Sequence, residues 1–412
     1  MRKFEIPTHY RSNYVQKIKD FRKENDHYKK DFSPTELDFG TVKVYLARHF
    51  GFCFGVENAI EIAYKIIEEH PDKNIYLLSE MIHNPGVNQD LLDRGVKFIM
   101  DKSGNYIVAW DKISSEDIVM IPAFGTTLET ENLLTQKGID IYKYNTTCPF
   151  VEKVWTRSSS LGLDNYTVVI HGKVKHEETK ATFSHAKENT PAVIVRDIEE
   201  TNTLVKILHG EIPKKKFYSL FKGKYSEGFD VTKDLIKIGV VNQTTMLASE
   251  TQEISDKLKE VMGSVYGKVN IDEHFADTRD TLCYATNDNQ QATVELLKTD
   301  ADLAFVVGGY NSSNTSHIVE LLERKFPTYF ISDESKIISK EEISHFDIST
   351  KIEKNTKSYL PKKDNVKIVI TSGASCPDVV VEKVFLKIYS YFPKAKEINE
   401  VLVEFLQNKK KT

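Results

Sequence analysis

The sequence predicts an α/β protein with mainly parallel sheets, and three observations carry that prediction. From Val42 onward, short apolar strands alternate with amphipathic helical stretches. The strands end in loops rich in Ser, Thr, Asn, His and Gly, which is where open parallel sheets hold ligands. Three of the four cysteines stand just ahead of a helical stretch, each in a different part of the chain. That recurrence suggests three similar modules pointing their thiols at one centre.

Composition narrows the class. A chain of 412 residues has room for two or three domains. Its net charge of -4 gives no support to a nucleic-acid or anionic-membrane surface, so neither partner is expected. No apolar run approaches the roughly 20 residues that span a bilayer. The start of the chain has no apolar signal core and carries Glu5, Asp20, Glu24 and Asp26, which reads against a transit peptide. Four cysteines without a CxxC pair are no disulfide framework. They fit a reducing cytoplasm with thiols kept for chemistry.

Residues 1–40 are polar, with a weak helical pattern at Tyr14, Ile18 and Phe21. They read as a surface-packed or partly mobile extension without chemistry. Then Val44-Tyr45-Leu46-Ala47 forms a strand and Phe50-Gly51-Phe52-Cys53-Phe54-Gly55 a turn, after which Val56, Ala59, Ile60, Ala63 and Ile67 recur at helical spacing. Cys53 thus meets a helix start, whose free N–H groups favour a thiolate. Ile141-Tyr142-Lys143-Tyr144 runs likewise into Asn145-Thr146-Thr147-Cys148-Pro149 and a helical pattern at Val151, Val154 and Trp155. Thr281-Leu282-Cys283-Tyr284 runs into Ala292, Val294, Leu296 and Leu297. One such cysteine alone would read as a small buried thiol. Three in like settings argue for a metal.

Six strand ends carry the polar chemistry: Ser79-Glu80-Met81-Ile82-His83-Asn84-Pro85, Pro122-Ala123-Phe124-Gly125-Thr126-Thr127, His171-Gly172-Lys173-Val174-Lys175-His176-Glu177-Glu178, Asn242-Gln243-Thr244-Thr245, Gly308-Gly309-Tyr310-Asn311-Ser312-Ser313-Asn314-Thr315 and Thr371-Ser372-Gly373-Ala374-Ser375-Cys376-Pro377-Asp378. Any one loop could be a simple helix cap. Six together suit a phosphate or diphosphate site. Two regions break the alternation. Residues 211–235 (with KKKFYSLFKGKYSEGF) read as an insertion forming a solvated loop, and residues 334–365 as a polar surface excursion. The module boundaries read from the sequence are 1–41 for the extension, 42–147 completed by 376–412, 148–278, and 279–375.

The cysteines leave two metals open. Zinc on three thiolates would want a closing ligand, His83 or His176, or an open catalytic position. A four-iron cluster on three thiolates leaves one iron without a protein ligand. Hydroxyl and carboxylate groups at the strand ends favour iron. Cys376 lacks the strand–Cys–helix setting and is read as outside the ligand set. A zinc hydrolase with Glu178 as base and a non-enzymatic iron–sulfur sensor stand as the other readings.

The motifs GFCFGVENAI, IHNP, TTCPFVEKVW, HGKVKHEET, NQTTM, LCYAT, GGYNSSNTS and TSGASCPD resemble, in order, those of the 4-hydroxy-3-methylbut-2-enyl diphosphate reductases, the LytB/IspH family. The resemblance spans roughly residues 42–385. It implies a trefoil of three α/β modules around a central [4Fe-4S] cluster. It also implies an iron–sulfur oxidoreductase of the non-mevalonate isoprenoid route. Such an enzyme removes the 4-hydroxyl of an allylic diphosphate to give isopentenyl and dimethylallyl diphosphate, with a ferredoxin or flavodoxin as electron donor. Matched motif by motif, Cys53, Cys148 and Cys283 would hold the cluster, whose open iron would take the substrate hydroxyl. His83, His176, Ser312, Ser313, Asn314 and Ser375 would bind the diphosphate. Thr244 would sit beside the hydroxyl end. Of the strand-end acids Glu80, Glu177, Glu178 and Asp378, Glu178, which the motif selects over Glu177, would supply protons. Ala123-Phe124-Gly125 departs from the common bacterial Ala-His-Gly and, with the longer N-terminus, resembles the plant and cyanobacterial branch. One diphosphate donor is thereby missing, with water or the hydroxyl of Thr126 or Thr127 as substitute.

Overall fold

The computed structural model describes residues 4–101, 104–276 and 281–407. The Lys-rich end at Lys409, Lys410 and Lys411 and the expected module boundary at 278/279 lie outside the described residues. The chain divides into two compact units, one formed by Met1–Glu61, His83–Val87 and Tyr284–Thr412, the other by Ile62–Ile82 and Asn88–Cys283.

The first unit is built on a seven-stranded sheet in the order Thr35–Asp38, Val42–Leu46, Val366–Ser372, Leu303–Val307, Thr328–Ile331, Glu342–Asp347, Ile352–Lys357. The four strands from Val42–Leu46 to Thr328–Ile331 pair in parallel, and antiparallel strands close both edges. Every residue of Leu303–Val307 is buried. A strand covered on both faces needs an unbroken apolar run, which Leu303-Ala304-Phe305-Val306-Val307 supplies. Because the inner strands run the same way, the loops after Leu46, Val307 and Ser372 leave one edge of this sheet. Val42–Leu46 shares this sheet with Leu303–Val307 and Val366–Ser372.

Two stretches of this unit are more ordered than the sequence suggests. Tyr14–Asn25 is a helix, as its weak pattern implied, and Thr35–Asp38 adds an edge strand to Val42–Leu46. Val15, Ile18, Leu37 and Phe39 join the core. Glu382, buried on the helix Asp378–Tyr389, accepts hydrogen bonds from the backbone N–H groups of Asn13, Tyr14 and Val15. The N-terminal helix is therefore capped by a residue more than 300 positions away. Within 334–365, Glu342–Asp347 and Ile352–Lys357 form an antiparallel hairpin that extends the sheet.

The second unit holds two parallel sheets. One has the order Lys97–Phe98, Ile75–Leu77, Ile118–Met120, the other Ala192–Val195, Thr167–His171, Ile238–Asn242, Phe275–Ala276. The stretch before Cys148 is not a strand. Residues 141–144 turn, and only Asn145 makes a bridge, to Ile121. The solvated loop expected at 211–235 is also corrected. Phe217, Phe221, Phe229, Val231 and Leu235 are buried with Val193, Val195 and Leu204, and the rings of Phe217, Phe221 and Phe229 stack. The lysines between them stay outside and masked the apolar spacing. Among the described residues no helix is long and apolar enough to cross a membrane.

Candidate active site

In the first unit the strand-end loops converge on His83. Asn311 Nδ2 donates to His83 Nδ1 at 3.2 Å, which leaves neutral His83 with its proton on Nε2. Ser375 Oγ donates to the His83 carbonyl at 3.2 Å. Gly309 is required here, because a Cβ would run into that same carbonyl. Ser312 caps the helix Ser313–Leu322 by accepting from the Thr315 N–H at 3.3 Å. Asn314 Oδ1 accepts from the Ala374 N–H at 2.9 Å, and the Ala374 carbonyl accepts from the Cys53 N–H at 3.1 Å. Asn314 is buried, and its Nδ2 has no hydrogen-bond partner among the described residues. A buried donor without a partner is costly, so this N–H₂ group is set up for an acceptor such as a phosphoryl oxygen. Ser312, Ser313, Asn314, Ser375 and His83 are all buried and belong to this unit.

In the second unit the loops after Thr167–His171 and Ile238–Asn242 meet around Glu178. His176 caps the helix Glu177–Asn189, its Nδ1 accepting from the Glu178 N–H at 3.2 Å. Neutral His176 is thereby fixed with its proton on Nε2, the same donor form as His83. The Glu178 side chain is 2% exposed and accepts from the Thr244 N–H at 2.5 Å and from the Thr244 hydroxyl. Burial pushes its pKa up to about 7, against the pull of both Thr244 bonds. It therefore holds a proton that it can give up near neutral pH. Gln243 ties the two loops together. Its Oε1 accepts from the Lys173 N–H at 3.1 Å and the Thr179 hydroxyl at 3.0 Å, and its Nε2 donates to Thr245 Oγ1 at 2.6 Å.

A sequence model described as "LytB protein" matches residues 44–389. A 4-hydroxy-3-methylbut-2-enyl diphosphate reductase from Picosynechococcus sp. is 40% identical over 386 residues, covering 93% of this chain and 90% of its own. The chain belongs to the LytB family. A second cyanobacterial relative of that name, from Crocosphaera subtropica, is 39% identical over 383 residues, with 93% of this chain and 90% of its own covered. Two solved structures share the fold. The E-1-hydroxy-2-methyl-but-2-enyl-4-diphosphate reductase of Plasmodium falciparum has a TM-score of 0.62 at 22% identity, covering 90% of this chain and 100% of its own. A structure of (E)-4-hydroxy-3-methyl-but-2-enyl diphosphate reductase has a TM-score of 0.51 at 23% identity, covering 84% and 99%.

The four cysteines of this LytB chain fall into two settings. Cys53, Cys148 and Cys283 are in no disulfide, and each directly precedes a helix, at Phe54, Pro149 and Tyr284. The partly exposed Cys148 is the cap residue itself, with its N–H donating to the Ala123 carbonyl at 3.0 Å. The helix-start setting suits thiolates, and three soft thiolate donors suit an iron–sulfur cluster. Cys376 is fully buried, and burial pushes its thiol up, away from the thiolate form. Phe124 lies edge-on to the His176 ring, centroids 5.9 Å apart. Its loop rests on Trp155: Gly125 has φ +76, and a Cβ there would meet the indole at 2.5 Å. The Thr127 oxygen caps the helix Leu128–Gln136 by accepting from the Thr130 N–H at 3.3 Å. Asn311 and Gln243 carried no role in the sequence reading. Both sit inside quoted motifs, but their contacts to His83, Lys173 and Thr179 are made across 64 or more positions, which no spacing rule reports.

Proposed function

We propose that this chain catalyses the reductive dehydroxylation of 4-hydroxy-3-methylbut-2-enyl diphosphate, the last step of the non-mevalonate isoprenoid route. The C4–O bond breaks and the hydroxyl leaves as water. Two electrons and two protons enter, and a new C–H bond gives isopentenyl or dimethylallyl diphosphate. The observation that carries this reading is the buried Glu178 carboxyl, with its pKa near 7, on Thr244. Family membership and the names of the cyanobacterial relatives support it.

A [4Fe-4S] cluster on Cys53, Cys148 and Cys283 would supply electrons singly and an iron without a protein ligand to act as Lewis acid. A ferredoxin or flavodoxin would deliver those electrons, and cysteines outside disulfides suit a reducing, cytoplasmic setting. The chain's own residues do the remaining work. The Nε2–H groups of His83 and His176, the Asn314 amide and the hydroxyls of Ser312, Ser313 and Ser375 donate to the diphosphate oxygens. Glu178 protonates the departing hydroxyl, because hydroxide is a poor leaving group. Thr244 holds the Glu178 carboxyl in place and orients the hydroxyl end of the substrate.

Anaerobically purified protein tests the reading. It should contain iron and acid-labile sulfide, absorb in the visible and turn over the allylic diphosphate with a chemical reductant. Zinc in place of iron, or a full cluster with no turnover, would overturn it.

A further inference from the structure

The GGYNSSNTS loop places one aromatic side chain, Tyr310, between residues that hold His83 and residues proposed to hold the diphosphate. That ring turns outward onto the hairpin that the sequence presented as a surface excursion. It stacks on Phe346 at 4.5 Å and 10° and meets Phe330 edge-on at 5.2 Å. Phe330 and Phe346 are cross-strand partners, and Glu353 is the cross-strand partner of Phe346. The Tyr310 hydroxyl donates to Glu353 Oε1 at 2.6 Å, and Lys336 holds the same carboxylate at 2.5 Å. Tyr310 is thus clamped at its face by one hairpin strand and at its hydroxyl by the other.

The backbone on either side shows what the clamp fixes. Gly309 lies against the His83 carbonyl, Asn311 orients the His83 ring, and the Ser312 N–H returns to the Gly309 carbonyl at 3.0 Å. A loop in which the residues flanking Tyr310 set a histidine tautomer, and in which Ser312 starts a helix, cannot slide without moving every donor. We propose that Tyr310 is a positioning residue for diphosphate binding, held by Phe346 and Glu353, and that the 342–357 hairpin exists in part to brace the loop. The hydrogen bond to Glu353 lies at the surface, where such bonds are weak. The stacked ring therefore carries most of the effect. The inference rests on the reading of Ser312–Asn314 as diphosphate donors.

The test compares holoprotein variants by calorimetric titration of inorganic diphosphate, together with KM and kcat for the allylic diphosphate. Tyr310→Ala and Phe346→Ala should each raise the diphosphate Kd and the KM by about ten-fold, with kcat held within about two-fold and iron content unchanged. The double variant should be no worse than about two-fold beyond either single one, because both remove the same brace. Tyr310→Phe keeps the stack and should bind within about two-fold of wild type. Phe346→Leu replaces Phe346→Ala if the latter misfolds, and should raise Kd in the same direction. Unchanged Kd in the variants at both positions, or fully additive effects, would overturn the brace. Asn314→Ala separates the two ideas. If it weakens diphosphate binding while the Tyr310 and Phe346 variants do not, only the brace falls. If Asn314→Ala also binds normally, the diphosphate site itself is misplaced.

Discussion

The two polar centres are built from opposite materials. The loops around His83 in the first unit offer hydrogen-bond donors: a histidine Nε2–H, the Asn314 Nδ2, which has no partner among the described residues, and serine hydroxyls. The loops around Glu178 in the second unit enclose a buried carboxyl group held by Thr244, and Gln243 ties those loops together. Neutral donors suit a ligand that arrives fully charged and leaves fully charged. A buried acid suits a group whose charge changes during the reaction. Under the proposed roles most of the anion donors belong to the first unit, while the second carries the proton donor together with His176.

The largest effect should come from the thiols. Cys148→Ser should lose iron and sulfide together, while Cys376→Ser should keep both, since its fully buried thiol contacts the Pro377 carbonyl at 3.6 Å and the Ser372 hydroxyl. Full iron and sulfide in Cys148→Ser protein would refute this ligand set. Next comes the acid. Glu178→Gln should keep iron and diphosphate binding but lose at least about a hundred-fold in turnover. Wild-type kcat should fall as pH rises through about 7, where Glu178 gives up its proton. The sign for stability follows from the same raised pKa. The folded state holds the proton more tightly, so the stability it provides is present below the unfolded pKa and lost as pH rises through about 7. The Gln variant has no such loss. Its denaturation midpoint relative to wild type should therefore improve between about pH 5 and about pH 8. A relative stability independent of pH would mean that Glu178 is not held as a neutral acid.

The two centres were not equally legible in the sequence. The strand runs and the motif order pointed to the loops at parallel strand ends, because an all-apolar strand such as Leu303–Val307 must be covered on both faces. The residue types at those ends suggested an anion site. The chemistry of Glu178 was visible only through the family motif, since its raised pKa comes from burial, which a sequence does not display. Packing across long separations was hidden altogether. Glu382 capping the helix Tyr14–Asn25 turned an expected appendage into part of the first unit's core. The Phe217, Phe221 and Phe229 stack lay under lysines, so a core segment read as a loop.

The donor side can be tested at Asn314. Hydrogen bonds to charged groups are worth about 1.5–3 kcal/mol, so Asn314→Ala should raise the diphosphate Kd by roughly ten- to a hundred-fold. Ser375→Ala should act in the same direction but less, because the Ser375 hydroxyl already donates to the His83 carbonyl and is only partly available to a ligand. In both variants kcat at saturation and its decline near pH 7 should be retained. A shifted pH profile in Asn314→Ala would show that the two centres are not independent.

The smallest expected effect lies at Phe124, on the acid-bearing side. This residue cannot donate a hydrogen bond, yet its ring meets the His176 ring at 81° with centroids 5.9 Å apart. His176 is already held at Nδ1 by the Glu178 N–H, so its tautomer does not depend on Phe124. What Phe124 adds is the tilt of the ring about that bond, and hence the direction of the Nε2–H. Edge-to-face pairs contribute about 0.5–1.5 kcal/mol, which corresponds to roughly two- to ten-fold in binding. Phe124→Leu keeps most of the volume and removes the ring contact. It should raise the diphosphate Kd within that range and leave the fall of kcat near pH 7 in place. Because Gly125 is pinned against Trp155, the loop itself should not move, and thermal stability should change little. Wild-type binding by Phe124→Leu would mean that the helix cap alone aims His176. A loss of kcat instead of binding would mean that Phe124 acts on Glu178, and the separation of anion binding from proton transfer would then fail at this position.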